Sequence, residues 1–175
     1  MKMSTRSIVI TGMLGAIAIV LGASGMGIIP VPTPAGKATI MHVPAILGGI
    51  IEGPLVGAMV GLIFGLFSFL NATTPMAADP IVAILPRVFI GVVSYYVFVL
   101  FQRHTVWGAG AAAIAGTLTN AVGFLGLSVV QGYLKWKAVL VILFTNTLGE
   151  IIVAIMIVVA LTKALERYMF KGSKY

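Results

Sequence analysis

Apolar residues run in long blocks along this chain, and the breaks between blocks are few and chemically marked. The first block covers residues 7–29 and ends at PVPTPAGKAT, where three prolines within five residues cannot continue a helix. Residues 30–39 are therefore predicted to cross to the next helix as a stiff, extended loop. The second block, 40–52, amounts to only ~20 Å of helix, and Gly53-Pro54 breaks it. The third block, 55–70, gives way to NATTPMAADP, the fourth, 81–101, to QRHT, and the fifth, 106–131, to GYLKWK. The sixth, 138–161, leads into a basic tail, KALERYMFKGSKY, expected to lie against anionic headgroups. A spanning helix needs roughly 20 apolar residues. The pattern predicts an all-α integral membrane protein: one transmembrane domain, residues 1–175, folded as a compact bundle of six transmembrane helices. Its second helix is short, and a proline-rich outer loop follows its first. No internal repeat or low-complexity segment interrupts it.

Composition sharpens this picture. Hydrophobic residues make up 60% of the chain and charged residues 9%, with a mean hydropathy of +1.14, where a soluble domain carries about 25% charged residues. Lipid is the solvent for most of this surface, which leaves no mass for a soluble catalytic domain. The first block is longer than a signal-peptide core and lacks a small-x-small cleavage site, so it is expected to stay as a span. The absence of cysteine excludes disulfides and thiolate metal sites. The net charge of +7 sits at the ends of apolar blocks. With the N-terminus inside, Lys2, Arg6, Arg103, Lys163, Arg167, Lys171 and Lys174 face inward, and Lys37, Lys135 and Lys137 outward. That distribution obeys the positive-inside rule and predicts an N-in, C-in topology, with Trp107 and Trp136 anchoring opposite interfaces. No basic stripe with interleaved aromatics is present, so nucleic acid is not an expected partner.

The informative residues are those that are costly in lipid. An ionisable side chain inside a membrane helix costs from ~2.5 kcal/mol upward, so it is expected to face a cavity or a partner. Arg87 falls ~9 Å below the outer start of the fourth span, and Asn146 and Glu150 share a face of the sixth at i, i+4 spacing. Asn120 lies at similar depth on the fifth span, while Thr39 and His42 open the second. The structural alternatives are an Arg87–Glu150 ion pair, interhelical hydrogen bonds from Asn120 and Asn146, and a structural His42. Asp79 before Pro80 reads first as a helix N-cap and second as a ligand contact. Lys37, the cation of the first outer loop, reads as solvated or as reaching an anion at the mouth. Convergence of polar groups from four spans on the outer half favours one outward-opening polar cavity. The candidate substrate-binding set is Lys37, Thr39, His42, Asp79, Arg87, Asn120, Asn146 and Glu150. Small residues four apart on the first span, Gly12/Ala16 and Ala18/Gly22, permit close approach of another helix. Gly57, Gly61 and Gly65 on the third span read as internal packing.

In this order and spacing the chain resembles the S components, the substrate-binding subunits of energy-coupling factor (ECF) transporters, which import vitamins. The resemblance rests on the six-span layout, on TGMLGAIAIVLG in the first span, on ATIMHVPAILGGIIEGPLVGAMVGLIFGLFSF, and on DPIVAILPRVFIGV opening the fourth. It implies capture of one vitamin near the outer face, gating by the loop between the first two spans, and association with a coupling subunit (EcfT type) and two ATPases (EcfA type). It also implies that Gly12 and Ala16, or alternatively Ala18 and Gly22, meet the coupling subunit. Glycine in place of the family's alanine leaves the register of that motif open.

The expectation is therefore a capture subunit of an ECF-type importer in a prokaryotic plasma membrane, not an enzyme, with no cofactor and no metal. Arg87 offers a fork for a carboxylate or phosphate, which would suit pantothenate. Riboflavin, pyridoxine, folate and cobalamin are not separated from it. The alternative is an autonomous secondary transporter or channel for a small polar solute. That class usually shows inverted repeats and paired broken helices, whereas only one short span is seen here. An intramembrane enzyme would need a nucleophile–base pair or a metal cluster, and a purely structural subunit would tolerate loss of Arg87 or Asn146 without any change in ligand affinity.

Overall fold

The computed structural model describes residues 3–30, 37–101 and 103–169 and, within these, the side chains of all but 28–30, 37–38 and 167–169. Its helices are α1 (Thr5–Ala23), α2 (Val43–Glu52), α3 (Pro54–Leu70), α4 (Pro80–Leu100) and α5 (Thr105–Val130), followed by a continuous rod. The rod consists of α6 (Trp136–Ile142), one π-helical turn (Leu143–Thr147) and α7 (Leu148–Met169). Counting the rod once, six helices form the bundle. Four of them, α1, α4, α5 and the rod, are long and apolar enough to cross a membrane. The surface is apolar where a soluble protein would be polar: Ile8, Met13, Phe144 and Ile152 are all exposed.

The short α2 owes its length to its place. Every residue from Val43 to Ile50 is buried, and the helix packs against α1, α3, α4, α5 and α7. It is apolar all round because neighbouring helices, not lipid, surround it. Gly53, at φ 101°, ends α2, and Pro54 starts α3 at a position where a missing N–H costs nothing. Helices α3 and α4 then pack almost backbone to backbone. A methyl group on Gly61 would fall 2.0 Å from the carbonyl oxygen of Arg87, and one on Gly91 would fall 2.3 Å from Gly57 Cα. The glycines of α3 thus serve internal packing.

The structure revises the first span. α1 stops at Ala23 rather than near Ile29, because Gly25 takes φ 73° and turns the chain. The chain then forms a two-stranded antiparallel hairpin, β1 (Ile28–Pro30) with β2 (Lys37–Thr39), in the register Ile28–Thr39, Ile29–Ala38 and Pro30–Lys37. This hairpin is the one departure from an all-helical chain among the described residues. The proline-rich segment 31–36 lies outside those residues, as does 170–175 of the basic tail.

α1 also separates the two small-residue pairs. Gly12 and Ala16 are exposed, with nothing within 4 Å of a methyl group placed on Gly12. Ala18 is 1% exposed, and a methyl on Gly22 would meet Phe67 and Met41 at 2.4 and 2.5 Å. The pair Ala18/Gly22 thus packs largely inside the bundle, with Gly22 partly exposed.

Candidate functional site

A cavity of about 290 Å³ opens at the end of the bundle that carries the α1–α2 hairpin. The hairpin contributes Thr39, the α3–α4 loop Met76, α4 Arg87, and the α5–α6 loop Leu134. α5 lines it with Asn120, Ala121, Phe124 and Leu125, and the last rod with Ile142, Asn146, Thr147 and Glu150.

The placement of Arg87 follows from its neighbour. Pro86, inside α4, has no N–H to give the carbonyl of Val82 four residues earlier. Arg87 Nη1 donates to that freed carbonyl at 2.8 Å, and Nη2 reaches Ser68 Oγ at 3.4 Å. The guanidinium carbon lies 5.4 Å from the centroid of the Phe64 ring and 4.7 Å from that of Phe124, so two aromatic faces share its charge. A guanidinium has five N–H donors. Arg87 uses two of them here, and Nε is buried without a partner among the described residues.

Glu150 occupies the facing side. Its Oε1 accepts from the backbone N–H of Thr39 at 3.1 Å, from Thr39 Oγ1 at 3.1 Å and from Asn146 Nδ2 at 3.3 Å. The Arg87–Glu150 ion pair considered above does not form. Among the described residues the ion pair is Arg6–Glu52, at 2.6 Å, where Ser7 Oγ also donates to Glu52 Oε2 at 3.0 Å. That cluster joins the start of α1 to the end of α2, at the opposite end of the bundle. Asn120 Oδ1 and Asn146 Oδ1 are buried and unpartnered among the described residues. The π-helical turn contains Asn146 and Thr147, and π turns within helices frequently mark functional sites.

Five of the eight residues singled out from the sequence thus meet at one cavity: Thr39, Arg87, Asn120, Asn146 and Glu150. His42 does not line it. It is fully buried at the start of α2, with Nε2 2.9 Å from Thr117 Oγ1 and Nδ1 without a partner among the described residues. Asp79 also lies off the cavity wall. It caps α4 by accepting from the N–H groups of Ile81 at 2.8 Å and Val82 at 3.3 Å, and Tyr133 Oη donates to its other oxygen at 3.4 Å. Lys37 belongs to β2, and its side chain lies outside the described residues. Sequence reasoning missed Phe64, Phe124 and Ser68, which surround the guanidinium, and Met76, Leu134, Ile142 and Thr147 on the wall. For Phe124 a signal existed, since it sits one turn beyond Asn120 on the same face of α5.

The model of the family described as "ECF transporter, substrate-specific component" matches residues 6–162. The pantothenic acid transporter PanT of Lactococcus lactis subsp. cremoris is 35% identical across 75% of this chain and 79% of that protein. A solved structure of ThiT from Listeria monocytogenes covers 93% of this chain and 96% of that chain, with a TM-score of 0.68 and 19% sequence identity, a likeness of fold.

Proposed function

Because this chain belongs to the substrate-specific components of ECF transporters, we propose that it captures pantothenate, a small carboxylate vitamin, for uptake across a prokaryotic plasma membrane. The observation that carries the reading is Arg87, a cation on the wall of a cavity shared with Asn120, Asn146 and Glu150, with donors left over and no carboxylate among the described residues paired with it. Guanidinium–carboxylate pairing is planar and charge-assisted, and it is stronger than a neutral hydrogen bond. The 35%-identical relative is named for pantothenic acid, whose carboxylate, amide and hydroxyl groups suit a cavity furnished with Arg87, Asn120, Asn146 and Glu150. Size points the same way. About 290 Å³ lies at the small end of the ~300–1,000 Å³ typical of ligand sites, which disfavours a corrin.

In this reading the hairpin end of the bundle faces outward, and both termini face the cytoplasm, where basic residues predominate. Energy comes from partners: an EcfT-type coupling subunit and two EcfA-type ATPases. The exposed Gly12 and Ala16 on α1 form the surface offered to the coupling subunit, since small residues let helix backbones approach closely in lipid.

Equilibrium binding of radiolabelled pantothenate to the purified chain tests the proposal. Saturable binding, competed by unlabelled pantothenate and not by riboflavin or pyridoxine, is expected. Absence of pantothenate binding, or equal competition by all three vitamins, would sink it. Accumulation of the label by vesicles containing this chain alone and no ATP would favour an autonomous transporter instead.

A further inference from the structure

The cavity is unevenly furnished. On the α4 side Arg87 is a donor in want of an acceptor. On the α5 and α7 sides the buried atoms without a partner among the described residues are acceptors, Asn120 Oδ1 and Asn146 Oδ1, beside the carboxylate of Glu150. A ligand that satisfies both walls carries an anion at one end and hydroxyl or amide N–H donors at the other.

Glu150 has a second duty. Thr39 is the last residue of β2, paired with Ile28 of β1, and both its N–H and its hydroxyl end on Glu150 Oε1. β2 packs against α7 and the π-helical turn, so these bonds fasten the hairpin to the helix that lines the cavity. Asn146 donates to the same oxygen, which orients its own Oδ1 as an acceptor. No described residue donates to Oε2, although Glu150 itself is only 5% exposed.

We propose that Glu150 is a shared acceptor: Oε1 holds the hairpin through Thr39 while Oε2 takes a hydroxyl or amide donor of the ligand. The donor-bearing end of the ligand then lies against α7 and its carboxylate against Arg87. One carboxylate reads the ligand and holds the strand beside the cavity mouth, so occupancy tightens the hairpin without a separate relay. This rests on the capture reading above.

The variant that isolates the sharing is Glu150→Gln. A glutamine has one acceptor oxygen and one NH₂, so it serves Thr39 or the ligand, and its NH₂ opposes whichever donor it faces. Thr39→Val removes only the hydroxyl donor and leaves the backbone N–H in place. Binding of pantothenate, and of an analogue whose hydroxyls are replaced by hydrogen, is measured by calorimetry for wild type and both variants. Amide hydrogen exchange is followed over residues 37–40 with and without pantothenate. The expected result is a loss of roughly 10- to 100-fold in pantothenate affinity for Glu150→Gln, and a clearly smaller loss for the analogue. Exchange at Thr39 should slow on adding pantothenate to wild type, slow less in Thr39→Val, and stay unchanged in Glu150→Gln. Equal losses for pantothenate and analogue, or a Thr39 amide indifferent to ligand in wild type, would overturn the shared-acceptor role while leaving capture intact. A wild type that binds no pantothenate overturns both. If Glu150→Gln does not fold, wild type and Thr39→Val still decide, because the exchange response to ligand is read in both.

Discussion

Replacing Arg87 by glutamine separates a binding role from a scaffolding one. Glutamine keeps the aliphatic stem but ends where Arg87 has Nε, two bonds short of Nη1, so it loses the charge, the planar fork and the bond to the Val82 carbonyl. A hydrogen bond to a charged group contributes about 1.5–3 kcal/mol. Losing a charged carboxylate contact should therefore cost about 2–3 kcal/mol, or roughly 30- to 150-fold in Kd. Stability should respond differently. Arg87 is buried, at 7% exposure, and is held by Phe64, Phe124, Val82 O and Ser68 rather than by a counter-ion. Each cation–π contact is worth ~0.5–2 kcal/mol, and burying the charge works against them, since neutral replacements of buried charges are often tolerated. The melting temperature in detergent should change by only a few degrees. The assay is pantothenate titration calorimetry beside thermal unfolding of the same preparation. A large drop in melting temperature with unchanged affinity would refute the reasoning and return Arg87 to the role of helix glue.

Other perturbations follow from the same contacts. Pro86→Ala gives Val82 O a backbone partner and releases Arg87 Nη1; pantothenate affinity should fall about tenfold, the equivalent of ~1.4 kcal/mol, with the melting temperature unchanged or higher. Gly61→Ala drives a methyl into the Arg87 carbonyl, and thermal unfolding should show destabilisation of ~1–3 kcal/mol together with weaker binding. Thr117→Val leaves the fully buried His42 Nε2 without its partner; it should cost ~1–3 kcal/mol of stability and leave pantothenate affinity alone. Gly12→Leu should leave vitamin binding and melting temperature intact yet abolish co-purification with the coupling subunit and its ATPases. Gly22→Leu should instead unfold the chain at lower temperature, because its side chain meets Phe67 and Met41.

How far the sequence can be read depends on which solvent each residue meets. The helices were legible because every apolar block must satisfy its own backbone in lipid, and Arg87, Asn120, Asn146 and Glu150 stood out because polar atoms are costly there. The hairpin was not legible. Its strands are three residues long, and Gly-Ile-Ile before Pro30 reads as a continuation of α1 until the positive φ of Gly25 ends the helix. The π-helical turn leaves no compositional trace in LFTNT. The aromatic bracket of Arg87 was equally hidden, since Phe64 and Phe124 resemble any lipid-facing phenylalanine until α3, α4 and α5 are brought together. Pro86 was visible but unexploited: a proline directly before an arginine in a helix frees the carbonyl four residues back for that side chain. His42 and Asp79 stood out on the same grounds of polarity but lie off the cavity wall. His42 Nε2 is held by Thr117, with Nδ1 buried and unpartnered among the described residues, and Asp79 is held by the start of α4 and by Tyr133.

The central claim is that Arg87 and Glu150 belong to one wet pocket that holds a small carboxylate vitamin. Native mass spectrometry of the detergent-purified chain, after incubation with pantothenate and removal of excess, tests it most directly. The account predicts one pantothenate retained per chain by wild type and none by Arg87→Gln. Equal occupancy in both proteins, or a wild type that emerges empty, would contradict it.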